Sequence, residues 1–423
     1  MPKDLATVKR YAWINVLVGA VAYFYVLGFP AVLMPTLYPE IIQDTGWSRA
    51  AVMSFASFKF MSGAVFSLLV GFIIHRTGSK NILLIAATLK GLALGLFLFV
   101  DTLLLYYLLG VVMGIGAIAG SVSIKILVSQ WFWHRQGRAV SLTLLGAGLG
   151  ASASPMVAES MLVYFGWRET IFIVSLGIWV LVIPMILLLM KSQPERFGFD
   201  SRALDPGDYR GRFRPSEKLH QTGFRSAVRS RPFLMLAVAT LLTGFVDQAI
   251  SQPTKTYLQL DLGFSGMEAA SITSSIIFTS LIARLFFGWL FDRYSIVGVA
   301  FCLFIAALSV VSTLYIVGPI SLFVFVLLRG MAHGGTLVDI PVLAKHLFGS
   351  LTLAQMIGTL TAIYNLGMAL GPAFSGWYFD SYGSYFWCFM LCFALQLFAA
   401  LLLVNLGWRA RTGDEPRPVG QEL

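Results

Sequence analysis

Long apolar segments alternate with short polar ones along the whole chain. A helix needs about 20 apolar residues to cross the hydrocarbon core of a bilayer. Twelve segments approach or exceed that length, and none shows the alternating ten-residue pattern of a membrane β-barrel. The pattern predicts an all-α integral membrane protein with twelve transmembrane helices, numbered here as spans 1 to 12, at 13–37, 49–74, 81–100, 103–128, 138–164, 168–190, 232–256, 267–291, 296–316, 319–345, 352–379 and 385–407.

Composition supports the membrane class. Of the 423 residues, 57% are hydrophobic and 12% are charged, whereas about a quarter of a soluble protein is charged. The mean hydropathy is +0.80. The short basic stretch 1–11 precedes an apolar run that is too long for a signal peptide and lacks a small-residue cleavage site. We therefore predict no cleaved leader.

The basic residues predict the orientation. Most of the 30 lysines and arginines lie in the tails and in the turns on one side, while the opposite turns hold only Arg49, Arg168 and Lys255. Basic residues concentrate on the cytoplasmic side of membrane proteins. We predict a multi-pass protein of the cell (inner or plasma) membrane with both termini cytoplasmic. The formal charge of +10 then reflects topology, not nucleic-acid binding.

An internal repeat is visible at an offset of 217 residues. Four pairs of short motifs share this register: Asp44-Thr-Gly-Trp-Ser48 with Asp261-Leu-Gly-Phe-Ser265, Gly71-x-x-x-His75-Arg76 with Gly288-x-x-x-Asp292-Arg293, Gly150-x-x-x-x-Pro155 with Gly367-x-x-x-x-Pro372, and Gly166 with Gly383. The second block of six spans is thus predicted to duplicate the first. Ser48 and Ser265 stand where spans 2 and 8 need helix N-caps.

The longest polar interruption separates the two blocks. It covers 191–231 and holds ten lysines and arginines. The predicted domains are a six-helix bundle at 1–190, a cytoplasmic linker at 191–231, a second six-helix bundle at 232–410 and a cytoplasmic tail at 411–423.

Two parallel six-helix halves resemble the major facilitator superfamily. The turn at 71–81 is similar to the gating signature Gly-x-x-x-Asp-Arg-x-Gly-Arg-Lys of that family, with His75 in place of the usual aspartate. Its copy keeps Asp292 and Arg293 but has Ser295 in place of the next glycine. The glycine series Gly146-x-Gly148-x-Gly150 of span 5 resembles a motif that lets helices 5 and 8 of the family approach closely.

Four stretches resemble the monocarboxylate transporters and the related bacterial oxalate/formate antiporters. One of them carries Arg284 in span 8, and where many of these carriers have an acid one turn earlier this chain has Ser280. Tyr364 stands near the place of a span-11 lysine of the oxalate carriers. The resemblance implies transport of a small organic anion, with spans 1, 4, 7 and 10 lining the cavity. The stretches are 131–138, 280–294, 341–349 and 370–385.

Charged residues inside spans are costly and mark candidate functional sites. Arg284 can grip a carboxylate through two parallel hydrogen bonds, or it can form a structural ion pair or reach the membrane surface. It has no counterpart in the first repeat, where Ser67 occupies the matching position. Asp247, near the middle of span 7, is a candidate proton carrier. Its alternative role is a permanent partner for Arg284 or Lys59.

Further candidates lie in spans 2 and 10. Lys59 is at mid-depth in span 2 and is a candidate for substrate contact. Arg329 and His333 share a helix face because they are four residues apart. They are candidates for a second anion contact or a proton relay, or for a pairing of Arg329 with an acid and of His333 with a neighbouring backbone. Asp339 is a candidate coupling or gating residue.

The remaining candidates are polar groups and less well-placed cations. Tyr364 and Asn365 of span 11 could complete a substrate pocket. Lys90 lies in span 3, which supports the bundle from outside in the resembled fold, so we expect it to pair structurally or to reach the surface. The three cysteines have no metal-ligand spacing and are interpreted as packing residues.

The sequence therefore predicts a transporter and not an enzyme. It contains no phosphate-cradling loop, metal-ligand cluster or nucleophile elbow, and no cofactor is expected. We predict alternating-access symport of a small organic monocarboxylate with protons, in which Arg284 binds the carboxylate and Asp247 handles the proton. The expected partners are the anion, protons and the lipid bilayer, without nucleic acid or an obligate protein. Alternatives are a proton-independent carboxylate exchanger, a drug or sugar carrier and a transporter-like sensor.

Overall fold

A computed structural model describes residues 5–132, 135–192, 224–336, 339–348 and 353–412. Within these ranges the chain forms helices and no strand. Ten helical segments among them are long and apolar enough to cross a membrane, and Pro319–Gly335 is a shorter apolar helix. The predicted all-α class is confirmed.

The helices of the first six spans follow the predicted pattern. Two of the spans contain a π-helical turn, at Tyr23–Gly28 in span 1 and at Ile178–Val182 in span 6. The helices are Leu5–Ala22 and Phe29–Thr45 (span 1), Arg49–Thr77 (span 2), Ser79–Gly95 with the 3-10 turn Leu96–Phe99 (span 3), Leu103–Ser129 (span 4), Gln136–Leu162 (span 5), and Trp167–Gly177 and Ile183–Leu188 (span 6).

The second block begins after the short helix Phe224–Val228. Its spans 8 and 9 lie in one helical segment, Gly266–Leu314. The other helices are Arg231–Ser251 and Thr254–Thr256 with the π-helical turn Tyr257–Asp261 (span 7), Pro319–Gly335 and Asp339–Phe348 (span 10), Leu353–Tyr382 (span 11) and Phe386–Thr412 (span 12).

The helical segment Gly266–Leu314 nevertheless contains a sharp chain reversal. A Cβ atom on Gly298 would lie 3.1 Å from the carbonyl oxygen of Leu290. Residues eight apart in a straight helix are separated by about 12 Å. The chain therefore turns back between these two positions, where the sequence predicts the boundary of spans 8 and 9.

The described residues form two compact units, each with its own apolar core. The first unit draws on Met1–Pro215, Ser251–Phe278 and Pro372–Gly383, and the second on Ser216–Ile250, Thr279–Gly371 and Ser384–Leu423. The ends of spans 7, 8 and 11 thus pack with the first repeat. The division into bundles at 1–190 and 232–410 remains a prediction.

The duplicated turns before spans 2 and 8 share their local geometry. Ser48 accepts a hydrogen bond from the Ala51 amide, and Ser265 and Glu268 bond each other's backbone amides. The glycine of each turn has a positive φ, 68° at Gly46 and 76° at Gly263. Both predicted N-caps are confirmed.

A second duplicated feature is the close contact of the first span of each repeat with the fifth. A Cβ atom on Gly150 would lie 2.7 Å from the carbonyl oxygen of Phe24, and one on Gly367 would overlap that of Leu241. These two pairs are related by the offset of 217 residues. The glycines Gly146 and Gly150 therefore face span 1. The expectation that the series also serves the approach of helices 5 and 8 stays a prediction.

Spans 2 and 4 pack closely within the first unit. A Cβ atom on Gly110 would lie 3.0 Å from the carbonyl oxygen of Phe55, and one on Gly114 would overlap the carbonyl oxygen of Lys59. Small residues permit such backbone approach between membrane helices. Span 4 consequently lies directly against the backbone that carries Lys59.

One end of the first unit is tied together around Arg49. Its guanidinium donates two hydrogen bonds of 2.7 Å to Asp261 and lies 3.5 Å from the ring centroid of Phe379. The backbone amides of Arg49 and Ala50 donate to Asp380 at 3.0 and 2.8 Å. This Arg49 cluster joins the start of span 2 to the ends of spans 7 and 11.

Replacing Gly114 by valine tests the contact between spans 2 and 4. The new side chain would meet the Lys59 carbonyl, so the helices must separate, at a cost of about 1–3 kcal/mol for an overpacked site. We expect a lower melting temperature in detergent. Gly71→Ala is the matched control, because a Cβ there meets nothing within 4 Å. Equal melting temperatures for Gly114→Val and the wild type would contradict the contact.

Candidate functional site

The most elaborate buried polar group in the second unit surrounds Asp247. This residue lies on Arg231–Ser251 and is 5% exposed. Arg329 donates from Nη2 to the carboxylate oxygen Oδ1 at 2.9 Å and to the main-chain oxygen of Asp247 at 2.8 Å. Gln248 donates to Oδ2 at 2.9 Å, and His333 Nδ1 lies 3.2 Å from Oδ1. These four residues are called the Asp247 cluster.

The sequence spacing explains how one helix supplies two of its members. Arg329 and His333 are four residues apart on Pro319–Gly335, so their side chains leave the same face. The predicted shared face is confirmed. The arginine is the more enclosed member, because its side chain is 4% exposed and that of His333 is 27% exposed.

Both oxygens of the Asp247 carboxylate have a donor. A buried ion pair is tolerated when the charges are close and the remaining hydrogen-bonding groups are satisfied. Arg329 meets this condition by holding the side chain and the backbone of Asp247 together. The expectation that Asp247 pairs permanently with Arg284 or Lys59 is thus replaced by a pairing with a third cation.

His333 is the member of the cluster that can exist in a neutral and a protonated form. An imidazole can accept or release a proton, whereas a guanidinium stays charged. The role of Nδ1 as donor or acceptor depends on the tautomer. Protonation would turn the contact with Asp247 into a charge-assisted hydrogen bond. The geometry therefore allows a proton to be held between His333 and Asp247 while Arg329 keeps its pairing.

Arg284 presents the opposite situation. It is half-buried on Gly266–Leu314 and makes no hydrogen bond or ion pair with any residue that the structure describes. Its Nε is buried and has no partner in that part of the chain. A guanidinium that is partly removed from water without a counter-charge is costly. This side chain is therefore available for an anion.

Arg284 and the Asp247 cluster lie on touching helices of the second unit. A Cβ atom on Gly334, the residue after His333, would lie 3.2 Å from the backbone nitrogen of Arg284 and 2.5 Å from the carbonyl oxygen of Ser280. Spans 8 and 10 thus approach each other at this level. The unsatisfied arginine and the titratable histidine come from neighbouring backbone positions.

The other predicted substrate residues are more dispersed. Lys59 belongs to the first unit, is 9% exposed, and holds its Nζ 4.6 Å from the ring centroid of Phe60. Tyr364 is buried on span 11 with its main-chain oxygen against Gly244. Asn365, beside it, is half-buried. No observation assigns substrate contact to these residues, which remain candidates.

The predicted gating residues lie near the ends of spans 2 and 8. His75 and Arg76 are exposed, and the Arg76 guanidinium lies 4.2 Å from the ring centroid of Phe72. Arg293 is also exposed. Among the described residues, a Cβ atom on Gly71 or Gly288 would meet nothing within 4 Å, so no close packing against them requires these glycines. The side chains of Asp292 and Asp339 lie outside the described residues.

Sequence reasoning missed one participant. Gln248 completes the coordination of the Asp247 carboxylate, and its signal was an amide directly after a buried acid. Among the described residues, no group of three histidine, cysteine or acidic side chains could hold a metal ion.

Comparison with known proteins identifies the family to which this architecture belongs. The profile described as Major Facilitator Superfamily matches residues 17–352 and 245–422. The chain belongs to the major facilitator superfamily. This confirms the predicted two-repeat fold of twelve helices, and it identifies the protein as a multi-pass membrane transporter and not an enzyme.

Individual proteins with similar sequences support the resemblance to the monocarboxylate transporters. Monocarboxylate transporter 12 of Mus musculus is 25% identical over 340 residues, covering 74% of this chain and 69% of the relative. The human protein of that name is 24% identical over 323 residues, covering 71% and 61%. The hexuronate transporter of Bacillus subtilis (strain 168) is 26% identical over 391 residues, covering 86% and 87%. The chain thus resembles the monocarboxylate group and spans roughly two thirds of the monocarboxylate transporter 12 proteins.

Solved structures of the superfamily show the same fold. The nucleoside transporter NupG superposes with a TM-score of 0.68 at 14% identity, covering 96% of this chain and 100% of that chain. A bacterial homologue of the human lysosomal transporter Spinster gives a TM-score of 0.70 at 14% identity, covering 99% and 100%. At this identity the likeness concerns the fold alone.

Removing one partner tests the Asp247 cluster. Asp247→Asn leaves Arg329 buried without a counter-charge, which costs about 3–5 kcal/mol. We expect a large fall in melting temperature and partial recovery in the double variant Asp247→Asn/Arg329→Met. The matched control is Asp44→Asn, which breaks a pair with Arg168 in which the side chains of Arg168 and Asp44 are 24% and 50% exposed, and which costs about 1 kcal/mol. A double variant no more stable than Asp247→Asn would show that the pair is not coupled.

Proposed function

We propose that the protein is a secondary active transporter of a small organic monocarboxylate, coupled to protons and working by alternating access. The observation that carries this proposal is Arg284, a half-buried guanidinium in an apolar helix, with a buried Nε that lacks a partner among the described residues. A carboxylate matches the two parallel N–H groups of a guanidinium. Substrate binding would supply the counter-charge that the protein itself does not.

The choice of a monocarboxylate has two supports. The relatives include proteins named monocarboxylate transporter and hexuronate transporter, and both names describe carboxylates. In the second unit, Arg329 is already engaged by Asp247, which leaves Arg284 as the cation with unused donors among the described buried residues there. One free guanidinium suits one carboxylate. Tyr364, near the place of a lysine in the resembled oxalate carriers, agrees with a single negative charge.

The proton is assigned to the Asp247 cluster. Asp247 keeps its pairing with Arg329, and the more exposed His333 takes up and releases the proton beside it. A carboxylate arriving at Arg284 brings a negative charge to the helix that touches span 10. An added proton on His333 offsets that charge, so anion and proton enter together more readily than either alone.

The transport cycle follows from the duplicated architecture. In carriers built from two repeats, the repeats rock about a site near the middle of the membrane. Spans 8 and 10 would bring Arg284 and His333 to that site. The distribution of basic residues supports cytoplasmic termini and a location in the cell membrane.

A carboxylate exchanger without proton coupling is the second candidate. It is favoured by the complete coordination of Asp247, since a carboxylate held by Arg329 and Gln248 has no need of a proton. The two candidates share Arg284 and differ at His333. Variants at these two positions therefore test them separately.

Arg284→Gln tests the substrate site. Losing charge-assisted hydrogen bonds costs about 1.5–3 kcal/mol, which corresponds to about a 10- to 150-fold weaker affinity. We expect uptake of labelled monocarboxylates into proteoliposomes to fall accordingly. Uptake by Arg284→Lys should be intermediate, because lysine retains the positive charge but lacks the two parallel N–H donors of the guanidinium. Arg229→Gln, at an exposed arginine, is the control and should transport normally. Normal uptake by a well-folded Arg284→Gln protein would refute carboxylate binding there.

His333→Gln tests proton coupling. In the wild type we expect uptake to rise when the outside is made more acidic than the inside, because protonated His333 accompanies the anion. The variant should lose this stimulation and keep exchange of internal for external substrate. Wild-type uptake that ignores the proton gradient, with intact exchange, would favour the exchanger.

A further inference from the structure

A buried ion pair of the first unit takes no part in the site described above. Lys255, in the short helix Thr254–Thr256 of span 7, donates from Nζ to Oε2 of Glu159 in span 5 at 2.7 Å. The two side chains are 1% and 12% exposed, and both values are lower than those of the Arg49–Asp261 pair, 10% and 21%. Removing one partner of an enclosed pair leaves an uncompensated charge, which is strongly unfavourable.

Glu159 also lies against the start of span 8. A Cβ atom on Gly266 would overlap Oε1 of Glu159 and would lie 3.4 Å from its Oε2. Gly266 is the first residue of the helical segment Gly266–Leu314, and a negative charge is favourable beside the first turn of a helix. One acid of the first repeat thus contacts two spans of the second repeat.

A related contact joins span 11 to the start of span 2. A Cβ atom on Gly376 would lie 2.6 Å from the Cα atom of Ala50, and Asp380 accepts hydrogen bonds from the backbone amides of Arg49 and Ala50. At the offset of 217 residues, Gly376 corresponds to Glu159. In both places the fifth span of one repeat supplies an acid to the start of the second span of the other repeat.

Spans 1 and 7 are joined at the same end. The Tyr38 hydroxyl donates to Oε1 of Gln252 at 2.9 Å, and this bond is buried. Gln259 donates to Glu40 at 3.1 Å. Tyr38 corresponds to Lys255 at the offset of 217 residues, so the same position in each repeat bonds to a residue of the other repeat.

One ion pair at this end stays within a single repeat. Asp44 accepts from Arg168 at 2.6 Å, and both residues belong to the first repeat. Its counterpart Asp261 accepts instead from Arg49 of the other repeat, and the position of Arg168 is held by Tyr385 in the second repeat. The acid that stabilises one repeat internally therefore has a counterpart that joins the two repeats.

We propose that the Lys255–Glu159 pair is the latch that holds spans 5, 7 and 8 together at this end. Alternating access requires the repeats to separate at one end of the bundle and then at the other. Separation here breaks the pair and moves both charges from an enclosed place into water. The predicted topology places this end on the outer side. The inference rests on the proposed alternating access and not on the identity of the transported molecule.

Pulsed electron paramagnetic resonance between two spin labels tests the latch in the full-length protein, in nanodiscs and without substrate. The labels are attached at Val163→Cys in span 5 and Met267→Cys in span 8, two exposed positions. The natural cysteines are buried, and labelling of the unchanged chain gives the background. We expect mainly the shorter distance in the wild type. Glu159→Gln should raise the ratio of longer to shorter distances by about tenfold or more, the effect of losing a charge-assisted hydrogen bond.

Companion variants separate the latch from general loss of stability. Lys255→Met should shift the ratio in the same direction, and Glu159→Gln/Lys255→Met should shift it less than Glu159→Gln alone, because no buried charge is left unpaired. Asp44→Asn is the matched control, since it breaks an ion pair at the same end within one repeat, and it should keep the wild-type distances.

Three results would overturn the latch: unchanged distances in both single variants, an equal shift in Asp44→Asn, or a wild type in which the longer distance already dominates. Because no substrate is present, the distances do not depend on which molecule is transported. Failure of the carboxylate proposal in uptake measurements would therefore leave this result intact, and the reverse also holds.

Discussion

Neutralisation of charge inside the membrane-spanning region is the constraint on which this structure depends. Asp247 and Arg329 satisfy it by pairing, and Gln248 completes the bonding of the carboxylate. Arg284 has no such partner among the described residues. A buried charge that a protein leaves unpaired is expensive, so this side chain is the place where a ligand contributes most to the stability of the folded chain.

The two repeats share a frame and differ in their chemistry. Turn glycines, N-caps and the glycine contacts between the first and fifth spans recur at the same offset. The buried charges do not recur, since Arg284 corresponds to Ser67 and Asp247 to Pro30. Packing of small residues supports the backbone independently of these charged positions. Polar chemistry could thus be changed in one half without disturbing the fold of both.

Much of the fold could be read from the sequence because hydropathy and capping are local properties. The spans, the caps at Ser48 and Ser265 and the shared face of Arg329 and His333 follow from nearest neighbours along the helix. The sequence offered a pairing of Arg329 with an acid as one alternative, but it could not select this pair, because several cations lie at similar depth and the choice depends on how each helix is rotated. Sequence matching also misleads locally: Gly166 and Gly383 were aligned, but φ is −69° at the first and 68° at the second.

The Arg49 cluster has a consequence for the rate of conformational change. If the ends of spans 7 and 11 separate from span 2 during a transport cycle, the bonds of Arg49 to Asp261 and of its amide to Asp380 must all break. The side chains of Arg49 and Asp261 are 10% and 21% exposed, so water reaches the Asp261 side of the pair and can replace its bonds one at a time as they open. Stepwise loosening of this kind keeps the barrier low. A low barrier is compatible with the microsecond-to-millisecond range in which collective helix motions occur. A fully buried ion pair at the same place, without access to water, would open far more slowly.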